Sequence, residues 1–358
     1  MLLFDAHLDL AMNAVEYNRD FTRPLAEIRA AEEGQRDRPH RARGTVSLPE
    51  MRRAGIGVCV ATQLARVEMN AWSPVTGWRS QTQAWAVTQG QLAWYRAMED
   101  AGEMRQIRTR VDLDRQLAEW PTLAKQPKAP IGYILSLEGA DSLISLDHLH
   151  RTHADGLRAL GPAHYGPGVY AFGTDSDGPL PACGRELLRE MERLGIILDA
   201  THLSDQCFWE ALDIFHGAVW ASHHNSRALV PHNRQLSDDM FRALIARGAV
   251  VGVALDAWML HPGWERGKTT PQSSGVTLAN LADHIDHYCQ QAGNARHVGI
   301  GSDLDGGFGT EQTPQDLESI ADLQKLTGIL AARGYAPADI ESIFSGNFLR
   351  FLRNALPE

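Results

Sequence analysis

Cysteine is scarce in this chain, and the four that occur, Cys59, Cys183, Cys207 and Cys289, stand far apart with no Cys-x-x-Cys pair and no cysteine-histidine spacing. A thiolate metal finger is thereby excluded, and buried, reduced thiols are expected. A basic stripe is missing too. The formal charge is -10, and the one cationic cluster, Arg38 to Arg43, reads as a solvated loop, so neither nucleic acid nor an anionic membrane surface is expected as a partner. No run of about 20 uninterrupted apolar residues occurs. The short apolar opening before Asp5 leaves no room for a secretory h-region, which makes a cytoplasmic location the expectation. There is no Gly-rich phosphate loop, no serine nucleophile elbow, no repeat of fixed period and no Pro/Ser-rich linker, so residues 1–358 read as a single domain.

What is present is a steady alternation of short apolar runs with helical patterns, in a chain whose 358 residues are 44% hydrophobic. Eight runs read as strands: Leu2 to Leu8, Gly57 to Gln63, Ile131 to Leu137, Gly156 to Leu160, Ile196 to Ala200, Ala218 to Ser222, Ala249 to Leu255 and His297 to Ser302. Helices are expected between them at Pro49 to Ala54, Thr82 to Ala101, Gly184 to Leu194, Ser204 to Phe215, Ser237 to Arg247, Thr277 to Gln291 and Pro314 to Arg333, with closing helices in Pro337 to Leu356. Repeated βα units imply a parallel sheet, and eight of them imply a TIM-type (β/α)8 barrel of the α/β class. Ser204 and Ser237 precede acidic first turns and read as N-caps. The segments Met69 to Arg79, Tyr165 to Pro181 and Trp258 to Ser274 follow strands and read as loops inserted on the C-terminal face, where substrate walls are built. The tryptophans between Trp72 and Trp94 read as helix packing, with Trp72 and Trp78 as candidates for the pocket border. Thr174-Asp-Ser-Asp-Gly has part of a calcium-loop pattern without the rest, and reads as a polar turn.

The chemistry is carried by acid and imidazole side chains that each follow one of these runs: His7 and Asp9 in FDAHLDL, Glu138 in YILSLEGAD, His202 in LDATHLSD, His223 in ASHHNS and Asp303 in GIGSDLDGG. A His-x-Asp pair on a strand puts both groups on one face, where they grip one ion. An acid at the end of an apolar run, as at Glu138, is costly to desolvate unless paired or metal-bound. Nitrogen and carboxylate donors without thiolate suit zinc in an open catalytic site and also accept manganese, cobalt or iron(II). The donors are too many for one open tetrahedral ion and fit two zinc ions sharing a bridging carboxylate, which would activate a water for hydrolysis. Asp303, on the last strand, is the expected general base. Asp305 reads as capping the glycine turn or steadying a neighbour, and His224 as structural or supporting.

In these residues the chain resembles the membrane (renal) dipeptidases, zinc metallopeptidases of the amidohydrolase-like barrels. DAHLD, SLEGAD, GLRALGPAH, LDATHLS, ASHHNSR, NRQLSDD and GIGSDLDGG occur in the family's order over nearly the whole chain. The resemblance implies that His7 and Asp9 hold one zinc, Glu138 bridges, and His202 and His223 hold the second. It further implies that His164 polarises the scissile carbonyl or stabilises its oxyanion, that Arg234 pairs with a dipeptide's free carboxylate, and that Asp303 moves the proton. Small dipeptides, including L-Xaa-D-Xaa compounds, are the implied substrates, and a homodimer is a candidate assembly. Two places depart from the family: Tyr165-Gly-Pro-Gly-Val-Tyr-Ala follows His164 where relatives carry a polar stretch, and Asp256 stands where they carry an uncharged polar or aromatic residue. Two other readings remain open: an amidohydrolase acting on N-acyl amino acids, β-lactams or lactones, and a binding protein whose metals are structural staples.

Overall fold

The computed structural model of the chain describes residues 1–68, 75–126 and 128–358. Eight parallel strands form the barrel: β1 (Leu3–Leu8), β2 (Ile56–Leu64), β3 (Ile131–Glu138), β4 (Leu157–Gly161), β5 (Ile197–Asp199), β6 (Val219–Trp220), β7 (Val251–Val253) and β8 (Val298–Ile300). Each pairs with the next, β8 pairs with β1 through Asp5 and Ile300, and the ring closes between β6 and β7 where Ala221 bridges Val251. Every residue of β1, β2 and β3 is buried. That burial explains why these strands read as unbroken apolar runs: helices cover one face and barrel side chains fill the other.

Closure depends on two glycines. A β-carbon on Gly252 would stand 1.9 Å from the carbonyl oxygen of Ser222, and one on Gly301 would stand 1.8 Å from that same atom. Their bareness leaves room for the Ser222 carbonyl, next to His223, to lie against both of them. At the other end of the barrel the closing helix Asn347–Ala355 packs Phe348 on Phe4, with ring centres 5.1 Å apart, and Phe351 on Trp220 at 5.4 Å.

All eight expected strands are present, and Ser204 and Ser237 cap their helices by accepting from the amides of Cys207 and Met240. Three differences have local causes. Met104–Gln106 adds an edge strand beside β3, too short to stand out in the sequence. The helix expected from Pro314 starts only at Ile320, because Asp322 turns its carboxylate onto the amides of Glu318 and Ser319 and fixes the start there. Helices Leu10–Glu16, Leu25–Ala31, Arg110–Leu123 and Leu146–Ala154 were not anticipated. The cysteines are all free, but only Cys59 and Cys207 are buried, while Cys183 is exposed. Among the described residues no helix is long and apolar enough to cross a membrane.

Candidate metal centre

The expected donors converge at the C-terminal ends of the strands. His7 lies on β1 and Glu138 ends β3, whereas Asp9, His164, His202, His223 and Asp303 lie just past their strands. The His-x-Asp pair is therefore not two strand residues on one face. The register of β1 against β2 is irregular between Asp5 and Leu8, and Asp9 is the N-cap of helix Leu10–Glu16. That break brings Asp9 Oδ2 to 3.7 Å from His7 Nε2. His202 and Asp303 both have left-handed backbones, with φ of 69° and 57°. Non-glycine residues adopt that conformation at a cost, which is common where a turn must aim a functional side chain.

Glu138 organises the cluster. Its Oε1 lies 3.2 Å from His202 Nε2 and 3.3 Å from His223 Nε2, while its Oε2 lies 3.6 Å from His7 Nε2 and 4.0 Å from His164 Nε2. Asp303 Oδ1 is 3.9 Å from His7 Nε2. Three overlapping donor sets result, each compact enough for one ion: His7, Asp9 and Glu138; Glu138, His164 and His202; and His7, His223 and Asp303. His164 thus stands among the donors as well as in the place the resemblance gives it.

The buried polar atoms fit cations. His7 Nε2, Asp9 Oδ1 and Glu138 Oε1 are sealed from solvent without a hydrogen-bond partner among the described residues, a costly state that a bound cation relieves. Burial drives the His202 and His223 imidazoles well below their ordinary pKa, helped by the charges of Arg234 and, for His223, His7, so they stand as neutral donors. His7 goes the other way: burial pulls it down, but Glu138 and Asp9 outweigh that and raise it. Burial lifts Asp303 well above the carboxylate range, and the charges of Asp9 and Glu138 add to the lift.

Two hydroxyls that the sequence reading missed orient the imidazoles. Thr174 Oγ1 is 2.8 Å from His202 Nδ1, and Ser222 Oγ is 2.9 Å from His223 Nδ1. Both rings are thereby held with Nε2 toward Glu138, the usual arrangement of histidines that bind metal. Ser222 could have been found next to His223; Thr174, in the polar turn after β4, carried no signal of its own.

Arg234 is 1% exposed. Its Nη2 donates to the His223 carbonyl at 3.1 Å, while Nη1 has no hydrogen-bond partner and the side chain makes no ion pair among the described residues. The remaining candidates have settled places. Asp305 accepts from the amides of Thr45 and Val46 and from Thr45 Oγ1, so it pins a neighbouring loop. His224 donates its amide to Gly252 and has no part in the donor sets. Asp256 lines the cleft together with Leu64, Val75, Tyr165 and Met259. Trp78 lies instead in a separate cleft with Val15 and Thr76, and Trp72 falls outside the described residues.

The sequence model of the membrane dipeptidases, peptidase family M19, matches residues 1–356. The chain belongs to that family. Among membrane dipeptidase relatives, Dipeptidase tcpJ of Claviceps purpurea is 30% identical over 233 residues, 62% of this chain and 51% of that protein, so the match spans about half of the relative's length. The crystal structure of the dipeptidase AC, a metallopeptidase of family M19, superposes with a TM-score of 0.81 at 23% identity, covering 100% of this chain and 99% of that one. A metallopeptidase from Rhodobacter sphaeroides, liganded with a phosphinate mimic of the dipeptide L-Ala-D-Ala, superposes at 0.77 with 22% identity and 99% coverage of both chains. These superpositions establish the shared α/β barrel.

Proposed function

We propose that this member of the membrane dipeptidase family is a hydrolase that cleaves the amide bond of small dipeptides with two zinc ions. The observation that carries the reading is the division of Glu138, one oxygen toward His202 and His223 and the other toward His7. His7, Asp9 and Glu138 would hold one ion, and Glu138, His202 and His223 the other; imidazole and carboxylate without thiolate favour zinc. Such ions, when bound, supply a water acidified enough to act as nucleophile near neutral pH.

The chain's own residues do the rest. Arg234 offers a buried, unshared guanidinium nitrogen, which a substrate carboxylate satisfies. His164, 8% exposed and kept neutral by burial, stands over Glu138 to donate toward the carbonyl oxygen as charge builds there. Asp303, whose Oδ1 lies 3.9 Å from His7 Nε2 at the donors, takes the proton of the attacking water as a carboxylate and passes it to the amine that leaves. L-Ala-D-Ala, whose mimic the Rhodobacter sphaeroides metallopeptidase binds, is the first substrate to try. An N-acyl amino acid shares the carboxylate that Arg234 fits and belongs in the same assay panel.

The test is metal analysis of the purified protein with turnover of that panel. About two zinc per chain with dipeptide turnover is expected, and Asp303→Asn should lose at least about a hundredfold in kcat while keeping its metal. Failure on every dipeptide by a metal-replete protein overturns the reading.

A further inference from the structure

Two buried aspartates stand behind the donors. Asp5 lies on β1 two residues before His7, and Asp199 ends β5 three residues before His202. Each uses one oxygen in the same way. Asp5 Oδ1 accepts from the His7 amide at 3.2 Å and from the Ser302 amide at 2.8 Å. Asp199 Oδ1 accepts from the Thr201 amide at 3.1 Å and from the Ser222 amide at 3.0 Å. The first bond of each pair is the local one that an aspartate makes to the amide two residues on. The second crosses to the end of the neighbouring strand, from β1 to β8 and from β5 to β6.

The four amides belong to donors or to the residues just before them. Asp5 holds the amide of His7 itself, and Ser302 precedes Asp303, whose own amide donates to the His7 carbonyl at 3.2 Å. The register of β1 breaks between Asp5 and Leu8, where the Asp5 carboxylate takes the His7 amide. Thr201 and Ser222 precede His202 and His223. Thr201 Oγ1 is 3.3 Å from Ser222 Oγ and accepts from the His223 amide at 3.4 Å. One aspartate therefore fixes the backbone at His7 and Asp303, and the other fixes it at His202 and His223. The division follows that of Glu138, which turns Oε2 to His7 and Oε1 to His202 and His223. A ligand is aimed only as well as the backbone beneath it is held, and a carboxylate that accepts two amides is a firm anchor.

We propose that Asp5 and Asp199 are positioning residues of the metal centre, one for each ion: Asp5 for the ion of His7 and Asp9, Asp199 for the ion of His202 and His223. The proposal rests on the two-ion reading and deepens it.

The test titrates zinc into metal-stripped protein against a competing chelator. Asp5→Ala should weaken one ion by about 10 to 100-fold, and Asp199→Ala the other. Ligand variants identify which. In a His7→Ala background, which already lacks a donor of the first ion, Asp5→Ala should change the affinity of the remaining ion by less than about twofold, whereas Asp199→Ala should still weaken it about 10 to 100-fold. In a His202→Ala background the two aspartates should exchange roles. Asp5→Asn and Asp199→Asn keep an acceptor oxygen and should recover most of the affinity that alanine loses. General loosening would weaken the remaining ion in both backgrounds; that result, or equal losses with asparagine and alanine, overturns the assignment while the two-ion reading stands. A wild-type protein that binds no zinc removes both.

Where an alanine variant fails to fold, hydrogen exchange of the wild type decides. In the metal-stripped protein the amides of His7, Thr201, Ser222 and Ser302 should exchange as slowly as those of the buried strands. Fast exchange that only zinc slows would show that the ions, not the aspartates, order these strand ends, and overturns the proposal.

Discussion

Asn13 and Asp305 are joined twice. Asn13 Nδ2 donates to the Asp305 carbonyl at 2.9 Å, and Arg19 bridges the two side chains, its Nη1 reaching Asn13 Oδ1 at 2.8 Å and Asp305 Oδ2 at 3.2 Å. The same Asn13 nitrogen donates to the Asp9 carbonyl at 2.9 Å. A buried network thus ties the loop after β1, which carries Asp9, to the loop after β8, which carries Asp303. Asn13→Ala removes the side-chain donor that the two carbonyls share, leaving each with one backbone amide, and should weaken metal binding by about 10 to 100-fold, as changes to groups that support metal ligands do. Competition with a graded chelator measures it; unchanged affinity would show that the two loops hold their donors without Asn13.

Arg19 carries more of the fold. Its side chain is fully buried, with Glu32 at 2.8 Å and Asp305 at 3.2 Å. Arg19→Met removes the cation that pairs with buried Asp305 and leaves Glu32 to Arg41 and the Ala42 amide, and should cost about 3 kcal/mol by urea unfolding. A loss under 1 kcal/mol would mean that the amides of Thr45 and Val46 suffice for Asp305.

The hydroxyls behind the imidazoles give a separable prediction. Thr174→Val and Ser222→Ala keep volume or nearly so; the first removes the hydrogen bond to His202 Nδ1, the second that to His223 Nδ1 together with one to Thr201 Oγ1. Each should lower zinc affinity about 10 to 100-fold with little change in thermal stability of the metal-loaded protein. Equal affinity in wild type and both variants would rule out this orienting role.

Much of this arrangement was readable before any coordinates. Strands buried on both faces show as apolar runs, so the barrel was legible, and a chemistry-bearing residue just past each run marked the catalytic end. The unread parts depend on tertiary context. The two-residue offset of Asp9 from His7 looked like strand alternation, and only the broken register after Asp5 shows otherwise. Thr174 sits 28 residues from the histidine it holds. Met104–Gln106 is a strand only because β3 offers it an edge.

Metal removal should cost stability. Asp9, Glu138 and Asp303 crowd one buried site, and burial with mutual repulsion raises Asp303 there. A cation that binds only the folded state adds about 2.7 kcal/mol at a hundred times its Kd. Chelation should therefore lower Tm by several degrees, zinc should restore it, and Glu138→Gln should blunt both effects. Identical melting curves with and without chelator would deny a site that binds when folded.

His284 predicts part of the acid sensitivity. It is 1% exposed, its Nδ1 accepts from the Ser226 amide at 3.0 Å, and burial lowers its pKa to about 3 from an ordinary 6.5. The folded chain keeps this ring neutral while the unfolded chain protonates it near 6.5. Its contribution is therefore present above that pH and is lost progressively as pH falls toward 3. Between pH 7.5 and 5.5 the loss from this one group is about 1.4 kcal/mol. His284→Asn retains an acceptor for the Ser226 amide but cannot titrate. It should be less stable than wild type at pH 7.5, with a gap smaller by about 1.4 kcal/mol at pH 5.5. Urea unfolding of both proteins at the two pH values reads the difference, which cancels every other titrating group; a gap that stays constant or widens toward acid would show that the ring is not held neutral.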